Sequence, residues 1–153
     1  MRSRPGISMY VIPATVQKTT RAISQLEQRF ERAISLRIQE AAVTIHKDAK
    51  VAAPVDFGVL RGSIYFDVKN KITYKAPGAS DNIRSGAKTT IPFKNAESDK
   101  KGLNAFVGSS LDYAFKQDVR TGYLSSAYSK TAPKVKPAIE RAIKEEIKKS
   151  RLG

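Results

Sequence analysis

The sequence contains no cysteine and no tryptophan, and only one histidine, His46. Without cysteine there can be no disulfide, no thiolate metal site and no cysteine nucleophile, a composition that suits a reducing compartment. Nor is there a stretch of about 18 apolar residues, the length a membrane-crossing helix needs. Met1-Arg2-Ser3-Arg4-Pro5 runs into no apolar segment, which predicts no signal peptide. The motifs G-x-x-x-x-G-K-[ST], G-x-G-x-x-G and G-x-S-x-G are missing, so phosphate-loop and hydrolase-elbow chemistry lapse. No His and carboxylate cluster has metal-ligand spacing. A lone helical histidine is a poor candidate for a base. The expectation is a protein that is not an enzyme, with no catalytic residue, no cofactor and no metal.

Acidic residues are scarce as well. Against 28 Lys and Arg stand 14 Asp and Glu, which leaves a net charge of +14 and an isoelectric point near 10.1. The excess is spread over the chain: nine cationic and four acidic residues in 1–50, eight and five in 51–100, eleven and five in 101–153. No block of five or six like charges forms a tail. Such a surface seeks a polyanion, and nucleic acid is the commonest. Zinc-finger spacing and aromatic-rich RNA-binding signatures are absent, so contact with phosphates is expected, not base readout. Tyr65, Phe66 and Tyr74 could stack on bases, but their alternation with Ile64 and Val68 favours core packing.

Apolar residues make up 41 % of the 153 residues, enough for one folded domain. Residues 1–13, with Pro5, Gly6 and Pro13, read as an extended arm. Residues 14–153 read as a single α+β domain. From 14 to 53 no Gly or Pro intervenes. Val16, Ile23, Leu26, Phe30, Ile34, Ile38, Ala41 or Ala42, Ile45 and Ala49 recur at three- and four-residue steps, one apolar stripe on a long helix. Pro54 stops it. A helix of about 37 residues is roughly 55 Å long, whereas a compact domain of this size is roughly 40 Å across. An unbroken helix therefore overhangs its own globule. Its stripe, at Ile23, Leu26, Phe30 and Ile34, is then a candidate subunit interface. A break near Thr19-Thr20 or near residue 36 is the alternative.

Strands are predicted in 61–75 and 103–118. Ile64, Phe66 and Val68 alternate with Tyr65, Asp67 and Lys69, the pattern of a half-buried strand. Asn70 marks a bulge or tight turn. Tyr113-Ala114-Phe115 reads as a short strand or turn. Residues 76–102 read as a long loop, with Thr89-Thr90-Ile91 a short strand inside it. Loops of this length are usually functional, and Arg84, Lys88, Lys94, Lys100 and Lys101 become candidate DNA or neighbour contacts. Residues 119–133 read as a connection. A last helix, 134–150, has Pro137 in its first turn, and Glu140, Glu145 and Glu146 read as ion-pair partners of Arg141, Lys144, Lys148 and Lys149. Helices flanking strands imply α+β architecture: long N-terminal and C-terminal helices on a small antiparallel sheet, with a long loop insertion.

The stretch Ala53-Pro54-Val55-Asp56-Phe57-Gly58-Val59-Leu60-Arg61-Gly62-Ser63-Ile64 resembles the A-P-V-x-T-G-x-L-R-x-S-I segment of a family of tailed-bacteriophage proteins. These are small neck or tail-completion proteins, also described as head–tail joining or minor tail proteins. Phe106-Val107-Gly108, Tyr113-Ala114 and Pro137-Ala138 follow in the family's order. Phe57 stands where the family has Thr, and Asp118 with Thr121-Gly122 replaces its E-x-G-T. Within the motif, Pro54, Gly58, Leu60, Arg61, Ser63, Ile64, Tyr113, Ala114 and Pro137 read as shapers of the fold. Leu60 and Ile64 would anchor the core and Arg61 would cap or pair with a carboxylate. The resemblance implies a structural virion protein assembled in the host cytoplasm. It would form a homo-oligomeric ring, hexamer or dodecamer, around the DNA exit channel. Its partners would be copies of itself, the connector, head-closure, tail-tube or tail-terminator proteins, and duplex DNA without sequence preference; no membrane is implied. A general nucleic-acid-binding protein and a tail-assembly factor are the alternatives.

Overall fold

A 40-residue helix, α1 (Pro13–Ala52), dominates the molecule. The computed structural model describes residues 13–55, 59–69, 71–73, 98–111 and 113–151. The helix is unbroken, about 60 Å long at the usual rise, and neither Thr20 nor residue 36 interrupts it. Pro13, placed in the arm by the sequence, is its first residue, where the missing N–H costs nothing. At the other end Ala53 N–H still reaches Ala49 O at 2.9 Å, and then Pro54 has no N–H to offer.

The chain next forms α2 (Val59–Ser63) and the strands β1 (Ile64–Val68), β2 (Lys71–Thr73) and β3 (Ala105–Ser109). The sheet is antiparallel throughout, in the order β2-β1-β3. Pairing of Val68 with Lys71 leaves two residues for the hairpin connection, and Lys69 takes a positive φ of 56° there, as such turns require. Two helices complete the fold, α3 (Ala114–Thr121) and α4 (Tyr123–Arg151). The α+β architecture with flanking long helices and a small antiparallel sheet is thus the observed one.

Several expected boundaries are corrected. Residues 61–63 are helical, not strand. Tyr113-Ala114-Phe115 leads into α3 and is not a strand. Residues 123–133, expected as a connection, form the first turns of a 29-residue helix, and Pro137 lies in its interior instead of its first turn. Two features outweigh the local serines and prolines. Gly122 closes α3 in the left-handed region, φ 65°, its N–H on Asp118 O at 2.7 Å. The Asp118 carboxylate then accepts from Leu124 N–H at 2.7 Å and Ser125 N–H at 3.1 Å, satisfying donors that open a helix. Tyr123, Ala127 and Thr131, one turn apart, are buried. Pro133 and Pro137 are exposed, so the carbonyls they leave unbonded sit on the wet side.

The core gathers at the C-terminal end of α1. Ile45, Ala49 and Ala53 meet Val59, Leu60, Ile64, Leu111, Ala114, Tyr123 and Ala127 there. From this body α4 returns antiparallel along α1: Leu124 shares a groove with Ile45, Val135 with Ala41, and Ala142 with Ala33.

β1 is buried on both faces, contrary to the alternation in its sequence. Asp67 is only 2 % exposed. Its carboxylate accepts from Ser98 N–H at 3.0 Å and from the Ser98 hydroxyl, which ties the returning chain to the sheet. Tyr65 is buried with its ring against Gly108. His46 is half-buried. Its Nε2–H donates to Ile64 O at 3.1 Å, which sets the neutral tautomer, and its ring meets Phe66 edge-on at 5.1 Å. Burial, and secondarily the Lys50 ammonium, hold its pKa below the ordinary 6.5, against a smaller opposite effect of the Ile64 bond. The unfolded chain therefore binds the proton first on acidification. Stability from this group is present above about pH 6.5 and falls as pH drops toward the lower native value. The His46→Gln variant should show a flatter dependence of the urea midpoint on pH below neutrality. An unchanged slope would remove His46 from that account.

Candidate assembly and phosphate-contact surfaces

The expected interface residues come together. α4 runs out near Arg29, with which Lys149 shares a groove. The first turns of α1 extend beyond it by about 24 Å, and every residue from 16 to 25 is exposed. Ile23 is 62 % exposed. Ile23, Leu26, Phe30 and Ile34 line one side of an open apolar hollow of 380 Å³, and Leu103 completes it. The only charged residues on it are Glu27 and Glu31. The turn that brings Leu103 there is pinned to α1. Gly102, φ 75°, lies so close that a Cβ would run into Ser35 Oγ and Lys69 Cγ. Lys101 Nζ pairs with Glu31 Oε1 at 2.5 Å, and this partner raises the pKa of the exposed Lys101 ammonium.

The remaining sequence candidates scatter. Lys101 is engaged with α1, and Lys100 is exposed on the same turn. Arg84, Lys88 and Lys94 lie outside the described residues, as do most of the 76–102 loop and its Thr89-Thr90-Ile91 strand. Gly58 lies outside them too. Leu60, Ser63 and Ile64 are fully buried. Ser63 ties α2 to the end of β3: its hydroxyl donates to Leu60 O at 2.7 Å and lies 2.6 Å from Ser109 Oγ, and its carbonyl accepts Ser110 N–H. Ala114 is buried and Tyr113 half-buried beside that core. Arg61 makes no ion pair with a described carboxylate, and its Nε is buried.

A second hollow, 640 Å³, opens between α1, β3 and α4 and is lined by groups such as Ile38, Ile45, Phe106, Leu124 and Tyr128. Its one charged group, Asp118, already caps α4, so no convergent polar set faces a small ligand. Among the described residues no group of three metal-ligating side chains lies together, and no helix is long and apolar enough to cross a membrane.

A cationic face of α4, beside its seam with α1, escaped the sequence reading. Lys130, Lys134, Arg141, Lys144 and Lys148 are all exposed. At 100° per residue they fall within about 80° of one another. Glu140 and Glu145 lie outside that sector. Of the ion pairs expected on this helix, only Lys149–Glu146, at 2.8 Å, forms among the described residues. Glu145 and Glu146 instead line the groove shared with Arg29, Arg32 and Arg37. Helical periodicity over 134–150 already places Lys134, Arg141, Lys144 and Lys148 together; the reading of the last three as ion-pair partners hides the stripe, and Lys130 falls in the expected connection. No family model, curated protein or solved structure matches this chain.

Proposed function

We propose that this chain is a structural virion protein of a tailed bacteriophage, a subunit of a ring at the head–tail junction that joins connector to tail around the DNA exit channel. The observation that carries the reading is the overhang of α1: of its apolar hollow, Ile23 and Leu26 lie beyond the end of α4, and Phe30 and Ile34 lie on a face of α1 away from the groove that α4 lines. Exposed apolar surface of this kind is favourable to bury. A hollow on a protruding rod, complementary to a different surface of the next copy, generates closed rings when the rotation closes. The order of the motifs from Ala53 to Pro137 supports the neck assignment, and the net charge of +14 suits a wall facing DNA.

Mass photometry of the purified chain should give a closed multiple of the single-chain mass. The double variant Leu26→Glu, Phe30→Glu should fall to single-chain mass with unchanged helical circular dichroism, because both residues lie away from the core. Purified particles should contain the protein. A single-chain mass for the unaltered protein, together with its absence from particles, would overturn the reading. The high positive charge would then favour a general nucleic-acid-binding protein.

A further inference from the structure

We infer that the exposed cationic face of α4, beside its seam with α1, is a rail for the phosphate backbone of duplex DNA. Four observations carry this. Lys130, Lys134, Arg141, Lys144 and Lys148 share one sector, all exposed, over about 27 Å of helix. None of the five forms an ion pair with a described acid. The neighbouring acids leave them unpaired among the described residues: Glu40 and Asp48 of α1 line a groove with Lys130 and Lys134, and Glu145 one with Arg141, while Glu146 holds Lys149, which is off the stripe. On the flank of the stripe Tyr123, Ala127, Thr131 and Ala142 are buried, and the charged face beside them is exposed.

The chemistry of the stripe selects the partner. Between its cations the sector holds Pro137 and no aromatic to stack on a base, as single strands favour. It holds no large apolar group to enter a lipid surface. Asn and Gln, which read adenine edges, are absent from it. What remains is a row of long, flexible cations held by a rigid rod, matched to a polyanion of regular charge. A duplex presents about 16 phosphates over the same length. Contact is electrostatic and independent of sequence. The inference rests on the neck reading for DNA as the occupant, while the phosphate chemistry stands on α4 alone.

The full chain is titrated with a short mixed-sequence DNA duplex over a range of salt. Five neutralised phosphates give a log–log salt slope of about −4.5, hence about 500-fold weaker binding at 200 mM than at 50 mM salt. The variant with Gln at all five positions should bind at least about 100-fold more weakly at low salt, with a slope near zero. Substituting Arg for the four lysines should keep the affinity, which separates loss of charge from loss of fold. A control variant losing the same charge elsewhere, at Lys47, Lys69, Lys100, Lys116 and Arg120, should keep most of it. Equal losses in the stripe and control variants would overturn the inference, as would displacement of the duplex by low polyglutamate concentrations, which would mark an acidic protein as the partner. Rings that form but bind no duplex would defeat this inference and leave the neck reading standing. Single chains that bind through the stripe would do the reverse.

Discussion

Replacing Tyr123 with alanine is expected to destabilise the chain by about 3–5 kcal/mol, read as a shift in the urea midpoint at constant m-value. Tyr123 is the largest of the fully buried side chains, 1 % exposed. It sits where α4 begins, against the core formed by α1, α2 and Leu111. Domains of this size have about 5–15 kcal/mol in all, so a large share of the total stability goes with one ring. Tyr123→Phe separates the ring from its hydroxyl and should cost only about 1 kcal/mol, the worth of the bond to Ser109. That hydroxyl has a signature of its own. Burial foremost, and the nearby Asp118 carboxylate, push its pKa up to about 12, against a smaller lowering by the Ser109 bond. The unfolded chain gives up this proton first, near pH 10. The stability it contributes is complete below pH 10 and is lost as pH rises toward 12. In an alkaline titration one of the six tyrosines should ionise late, and Tyr123→Phe should remove that late step. Six tyrosines titrating together would contradict the burial of this one.

The second large effect lies on β1. Asp67→Ala should cost about 3 kcal/mol, because it leaves the Ser98 N–H and hydroxyl buried without their carboxylate partner. Asp67→Asn, which keeps one acceptor and adds donors, should recover much of that loss. Hydrogen exchange reads the local consequence: the Ser98 amide should lose protection in Asp67→Ala, with the core amides of Tyr65 and Val68 less affected. A side chain on a wet strand face, as the alternation of β1 implies, would cost no more than about 0.5 kcal/mol. The size of this effect therefore decides between a solvated and a buried Asp67.

Much of the frame was legible in the chain. The three- and four-residue recurrence from Val16 to Ala49 specifies one helix, and the absence of Gly and Pro before Pro54 specifies its length and end. Both are local properties, written in backbone stereochemistry. The hairpin of β1 and β2 follows from two alternating runs and a two-residue connection. The overhang was legible too, because a helix rise and a globule radius are fixed quantities. Asp67 was misread because alternation reports which residues can face water, not whether another segment arrives to cover them. Ser98 arrives from 31 residues away.

α4 marks the boundary most clearly. Gly122, Ser125 and Ser126 are local signals for a connection, and Pro137 is a local signal for a first helical turn. What overrides them is a capping carboxylate from α3, Asp118, and the burial of Tyr123, Ala127 and Thr131 in one line against the body. Neither is a property of the segment itself. Winding those turns adds Lys130 to a cationic face whose other members, Lys134, Arg141, Lys144 and Lys148, lie in the segment that the sequence already marks as helix. Composition determined that the protein is strongly basic, and the order of its residues that one long apolar-striped rod runs through it. Only the tertiary structure decided which part of that rod stays uncovered and which acids share grooves with the cations of α4, because both depend on where α4 packs and where it stops.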